Sequence, residues 1–153
     1  MKGNPAIVGK DAAYDWSLLD NALMDSARRN THVVWRVITQ YPDRPMSIPQ
    51  YLVDAGARIH SDKNTPDFGD PIFLEACRQF IYDMAERYDG DKRLAFIQAG
   101  LIGYWGEWHT LSDPNMPEES KNKLSVWYGD AFKKTKVQIR FPHQVAYDRG
   151  IGL

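Results

Sequence analysis

A chain of 153 residues, 43% hydrophobic and 25% charged, has the make-up of a soluble globular domain with material for one core. Its formal net charge of −1 offers no basic excess to neutralise phosphates, so nucleic acid is not an expected partner. Cys77 is the single cysteine, which excludes an internal disulfide and a cysteine-based zinc site.

Asp15 is placed to cap a first helix that runs to about residue 29. Leu19, Leu23 and Ala27 recur there at spacing four, with Leu18 and Ala22 beside them. Residues 32–38, HVVWRVI, read as a buried strand rich in β-branched side chains. Residues 41–70 are punctuated by Pro42, Pro45, Pro49 and Pro66, and Pro49 suits the first position of a short helix. A connection of this length in a compact domain is expected to be functional or disordered.

The strongest helix signal follows. Asp70 caps it, Pro71 opens it, and Phe73, Cys77, Phe80, Met84 and Tyr88 form one apolar stripe before Asp89 and Gly90 end it. Residues 94–104 are almost entirely apolar and read as a strand buried on both faces. Residues 117–134 suit a third helix with Leu124, Trp127, Ala131 and Phe132 turned inward, and residues 137–141 a last strand. This alternation predicts an α/β fold with parallel strands and right-handed crossovers, either a doubly wound sheet or a (β/α) barrel. Neither GxGxxG nor GxxxxGK[ST] occurs, which disfavours nucleotide-binding sheets, and no cofactor is expected. The longest apolar stretch, residues 94–105, is interrupted by Gln98 and falls short of the roughly 20 residues of a membrane helix, so no membrane partner is expected.

In parallel α/β folds, sites form at the carboxyl ends of strands. Those ends carry Thr39, Gln40 and Tyr41, then Tyr104, Trp105, Glu107, Trp108 and His109, then His143 and Gln144. Apolar rings on both sides of Glu107 predict a desolvated carboxyl with a raised pKa, fit to donate a proton to a glycosidic oxygen. Trp105 and Trp108 suit the floor of sugar subsites. Tyr104, His143 and Gln144 are further substrate contacts, His109 an orienting group, and Gly103 and Gly106 places of close approach. The bland alternative stays open: Glu107 in a structural salt bridge with Arg36 or Arg140, and the tryptophans in the core.

Arg36 and Arg140, each in an apolar strand, suit either substrate or an acidic partner, while Gln98 needs hydrogen-bond partners. Glu107 and His109 match no standard metal spacing. Asp113, Glu118 and Glu119 read as charges at a helix start. Asp43, Arg44, Asp62 and Lys63 read as solvated loop charge, and Cys77 as an inert core thiol.

The run YDWSLLDNALMDSARRNTHVVWRV resembles the segment of barrel glycosidases in which a YDW-x-x-lD phrase precedes a helix and the third barrel strand. The run GDPIFLEACRQFIYDMAERYDGDKRLAFIQAGLIGYWGEWHT resembles the third helix and fourth strand of the same barrels. The likeness is to the β-galactosidase and endoglycanase clan, nearest to uncharacterised bacterial barrel proteins of that type. It implies a partial TIM-type barrel holding strands three to five. It further implies hydrolysis of O-glycosidic bonds in a carbohydrate substrate, with Glu107 as general acid/base. The clan usually carries Asn before that glutamate, where this chain has Gly106. Its nucleophile lies on the seventh strand and a full barrel takes about 250 residues. Residues 1–153 are therefore expected to be one incomplete barrel domain lacking the nucleophile, with possible self-association through open edges. A non-catalytic carbohydrate-binding barrel, or a truncated piece without activity, are the alternatives. Residues 1–15 lack a signal-peptide pattern, and the compartment stays open, a secreted or periplasmic parent included.

Overall fold

A computed structural model describes residues 14–42, 44–45, 48–60, 65–109 and 116–152. Asp43, Asp62, Lys63 and Asp113 lie outside the described residues. The elements run α1 (Ser17–Arg28), β1 (Val33–Arg36), α2 (Gln50–Asp54), α3 (Pro71–Tyr88), β2 (Leu94–Gln98), α4 (Glu118–Ala131), β3 (Lys136–Gln138) and α5 (Gln144–Asp148). The strands form one parallel sheet in the order β1-β2-β3, so the class is α/β. Beyond β3, Gly152 makes a further parallel bridge to Gln138, and Ile139 N–H donates to the Gly152 carbonyl at 2.8 Å. The far side of β3 is therefore partly paired, at the Gln138 end.

A sequential parallel order with right-handed crossovers puts all the connecting helices on one side of a sheet. Burial agrees. Trp35, Ile97 and Val137 share a register row and are buried in the core with Phe80, Met84, Tyr88, Leu124 and Tyr128. The opposite row is Val34, Phe96 and Lys136, of which Val34 is 44% exposed and Lys136 exposed. An open hollow of about 360 Å³ lies there, lined by Ala95, Phe96, Lys136, Gln138 and Gly152. Among the described residues helices cover one face of the central strand, so of the two settings that suit its apolar run, helices on both faces or a closing barrel, the first is not seen.

α3 forms as its sequence dictates. The Asp70 carboxylate accepts from the N–H groups of Ile72 (2.9 Å) and Phe73 (3.1 Å), two of the donors a helix start leaves unpaired. The whole stripe Phe73, Cys77, Phe80, Met84 and Tyr88 is buried. α1 is looser: Asp15 accepts from Ser17 N–H one position before the cap, Leu23 is fully buried, and Leu18 is 78% exposed. Pro49 stands at the cap of α2 rather than at its first position. The proline-rich connection folds back onto the core through Ile48, Leu52, Ala57 and Phe68.

At the end of α3, Asp89 reaches across to the turn before β3. Its carboxylate accepts from the N–H groups of Lys133 (3.0 Å), Lys134 (3.0 Å) and Thr135 (2.8 Å). Burial works against its charge, but these bonds prevail and hold the carboxyl below its ordinary pKa.

Candidate functional site

β2 ends at Gln98, six residues short of the expected strand. From there the chain turns sharply, because residues 101–108 hold five positive φ angles: Leu101 (75°), Gly103 (77°), Trp105 (54°), Gly106 (67°) and Trp108 (63°). Non-glycine residues in this region cost about 1–3 kcal/mol each and persist only where surrounding contacts fix them. Those contacts are visible. Leu101 N–H donates to the Val37 carbonyl (2.9 Å), Trp105 N–H to the Gln40 carbonyl (3.1 Å) and Tyr104 N–H to the His109 carbonyl (2.8 Å). The loop is thereby fastened to the carboxyl end of β1.

Its glycines serve the protein's own packing. A Cβ on Gly103 would sit 2.5 Å from His109 N, and one on Gly106 would sit 3.2 Å from Arg36 Cδ. Of the two close approaches that these glycines allow, a ligand or neighbouring backbone, the one seen is backbone, with Arg36 beside Gly106.

A hydrogen-bonded row runs along the open face of the sheet and ends at Glu107. Gln98 Nε2 donates to Gln138 Oε1 (3.1 Å), and Arg36 Nε donates to Gln98 Oε1 (3.1 Å). Arg36 Nη1 then donates to Glu107 Oε1 (2.8 Å) and to the Trp105 carbonyl (3.0 Å). Arg140 Nε lies 3.8 Å from the same carboxylate oxygen, and His109 Nε2 lies 3.5 Å from Oε2. Glu107 is thus surrounded by cationic and polar donors. The Arg36 hydrogen bond is the main reason its carboxyl is held below the ordinary glutamate value. The expected rise in pKa is overturned: desolvation is present but smaller than the pull of Arg36.

The tryptophans separate. Trp108 is 7% exposed, donates from Nε1 to the Gly100 carbonyl (3.4 Å) and packs against His143, so it is a core residue and not a sugar floor. Trp105 is half-buried and lies 6.0 Å from the His109 ring, which in turn meets Phe141 edge-on at 5.6 Å. Phe141 is 49% exposed. Trp105, His109 and Phe141 therefore make a continuous aromatic strip beside Glu107. Tyr104 is buried against Trp105.

Two candidates are not brought to this cluster. His143 is held by Glu118 (3.0 Å) and Ser125 (3.4 Å), and Gln144 bonds Asp148 (2.8 Å) on the exposed side of α5. Sequence reasoning missed Gln138 and Phe141. The signal for Gln138 was a polar side chain in the same alternating phase as Arg36 and Gln98.

No group of three or more metal-ligating side chains is placed to hold an ion among the described residues, and none of their helices is long and apolar enough to cross a membrane. No family model, curated protein or solved structure matches this chain.

Proposed function

We propose that this chain is a sector of a (β/α) barrel of glycoside hydrolase type, its open sheet face the barrel interior and Glu107 the general acid/base of a sugar site. The observation that carries the reading is the row from Gln138 through Gln98 and Arg36 to Glu107. It lines the uncovered face and ends at the carboxyl ends of the strands, where barrel chemistry occurs. The sequential parallel order and the one-sided helices support the barrel over a doubly wound sheet.

In the free chain Glu107 is a carboxylate, ready to accept a proton. Acting as an acid requires a bound sugar to exclude water and draw donors away from it, which raises its pKa. With Gly106 in place of the clan's asparagine, Arg36 and His109 are the donors nearest to a sugar hydroxyl. A second reading, non-catalytic carbohydrate binding, is favoured by the Arg36–Glu107 pair, which keeps the carboxyl charged at rest.

A hydrolysis screen with aryl glycosides and oligosaccharides on a complete barrel that contains this chain, paired with calorimetric titration, separates the two. On the first reading Glu107→Gln lowers hydrolysis at least about a hundredfold while saccharide binding persists. Saccharide binding that is lost in Trp105→Ala, without any hydrolysis by the complete barrel, selects the second. A barrel that neither binds nor cleaves sugars sinks both.

A further inference from the structure

Two guanidinium groups face the Glu107 carboxylate, Arg36 through a hydrogen bond and Arg140 through a longer ion pair. Arg36 spends Nε on Gln98 and Nη1 on Glu107 and the Trp105 carbonyl. Arg140 makes no hydrogen bond among the described residues. Its Nε stands 3.8 Å from Glu107 Oε1, and its guanidinium lies 5.9 Å from the centre of the Phe141 ring. The side chain is 61% exposed. It is therefore open to solvent beside Phe141, at the edge of the aromatic strip.

The charges do not balance either. Arg36 and Arg140 against Glu107 leave one positive charge in excess. A neutral ring lying on the strip would leave that excess uncompensated. An anionic ring would offset it. A guanidinium matches a carboxylate by two parallel N–H···O bonds, and flat aromatic faces match the apolar face of a pyranose.

We propose that the site is selective for acidic sugars of the uronic acid class, with Arg140 taking the sugar carboxylate while the ring lies on Trp105 and Phe141. The inference rests on the carbohydrate reading above and names its substrate class. A sulfated sugar offers the same charge without the planar match, so it is the informative competitor.

The test is calorimetric titration of the full chain with three probes of equal length: an oligogalacturonate, a neutral oligogalactoside and a sulfated oligogalactoside. The uronate is expected to bind at least about tenfold more tightly than the neutral probe, because charged hydrogen bonds are worth that much. The preference should shrink as salt rises. Arg140→Gln should abolish it, and Arg140→Lys, which keeps the charge but not the fork, should retain only part. A thermal melt of each variant verifies folding, and the salt dependence of the parent chain carries the test should a variant not fold.

Equal binding of uronate and neutral probes overturns the acidic-sugar inference and leaves the carbohydrate reading standing. Preference for the sulfated probe overturns the carboxylate assignment, and an unchanged preference in Arg140→Gln overturns the role of Arg140. Binding of none of the three overturns both the inference and the reading beneath it.

Discussion

The two faces of the sheet are built from alternate residues of the same three strands, yet they are held by different physics. On the covered face Trp35, Ile97 and Val137 are at most 8% exposed and pack against the helices, so their contribution is burial. On the open face Arg36, Gln98 and Gln138 lie in one register row and are joined by side-chain hydrogen bonds. A sheet face that meets solvent is ordinarily polar, and this one differs in that its polar groups are joined to one another. The polar row ends in the Glu107 carboxylate, and on the proposed carbohydrate reading its groups are fixed before anything binds.

Substitutions on the two faces put that contrast at risk. The largest effect is expected from Ile97→Ala, which should cost about 3 kcal/mol in chemical denaturation through lost burial and a cavity. Arg36→Met is expected to cost about 2 kcal/mol, since it strands the half-buried Glu107 carboxylate. It should also change the acid limb of a stability profile. Glu107 is held below its ordinary value in the folded chain, so its contribution is present above that value, about pH 4.3, and is lost as the pH falls through the lowered one. That loss should be visible in melts of the parent chain and reduced in Arg36→Met. Val34→Thr on the open face should be the smallest, within about 0.5 kcal/mol. If it instead approaches the cost of Ile97→Ala, the open face is covered in solution, and light scattering would show whether a second copy covers it.

Much of the fold is legible where the code is local. Asp70, Pro71 and the stripe from Phe73 to Tyr88 announce α3 because cap, first residue and period all lie within one helix. The stretch after Gln98 is misread because an apolar run carries no mark of direction. Residues 99–104 look like more strand, while the backbone turns at Leu101 and Gly103 to pair with Val37 and His109.

The site shows the same limit. Glu107 stands out in the sequence because its setting is unusual, but its neighbours in sequence do not reveal what surrounds its carboxyl group. The turns at Trp105 and Trp108 give those two rings different fates, and the group that sets the carboxyl's charge arrives from Arg36, 71 residues earlier. Gln98 showed itself as a polar break in a strand. Its link to Gln138 depends on register, which no single segment encodes.

The carboxylate of Asp89 has a consequence for motion. Lys133 and Lys134 are exposed, and amides on such a turn would ordinarily trade their protons with water freely. Held by Asp89, these two and that of Thr135 can exchange only when the end of α3 releases the start of β3. Slow deuterium uptake at residues 133–135 would therefore time a single event, the parting of one βα unit from the next. Protonating Asp89 in acid should lower the protection, relative to free amides at the same pH, at all three positions together.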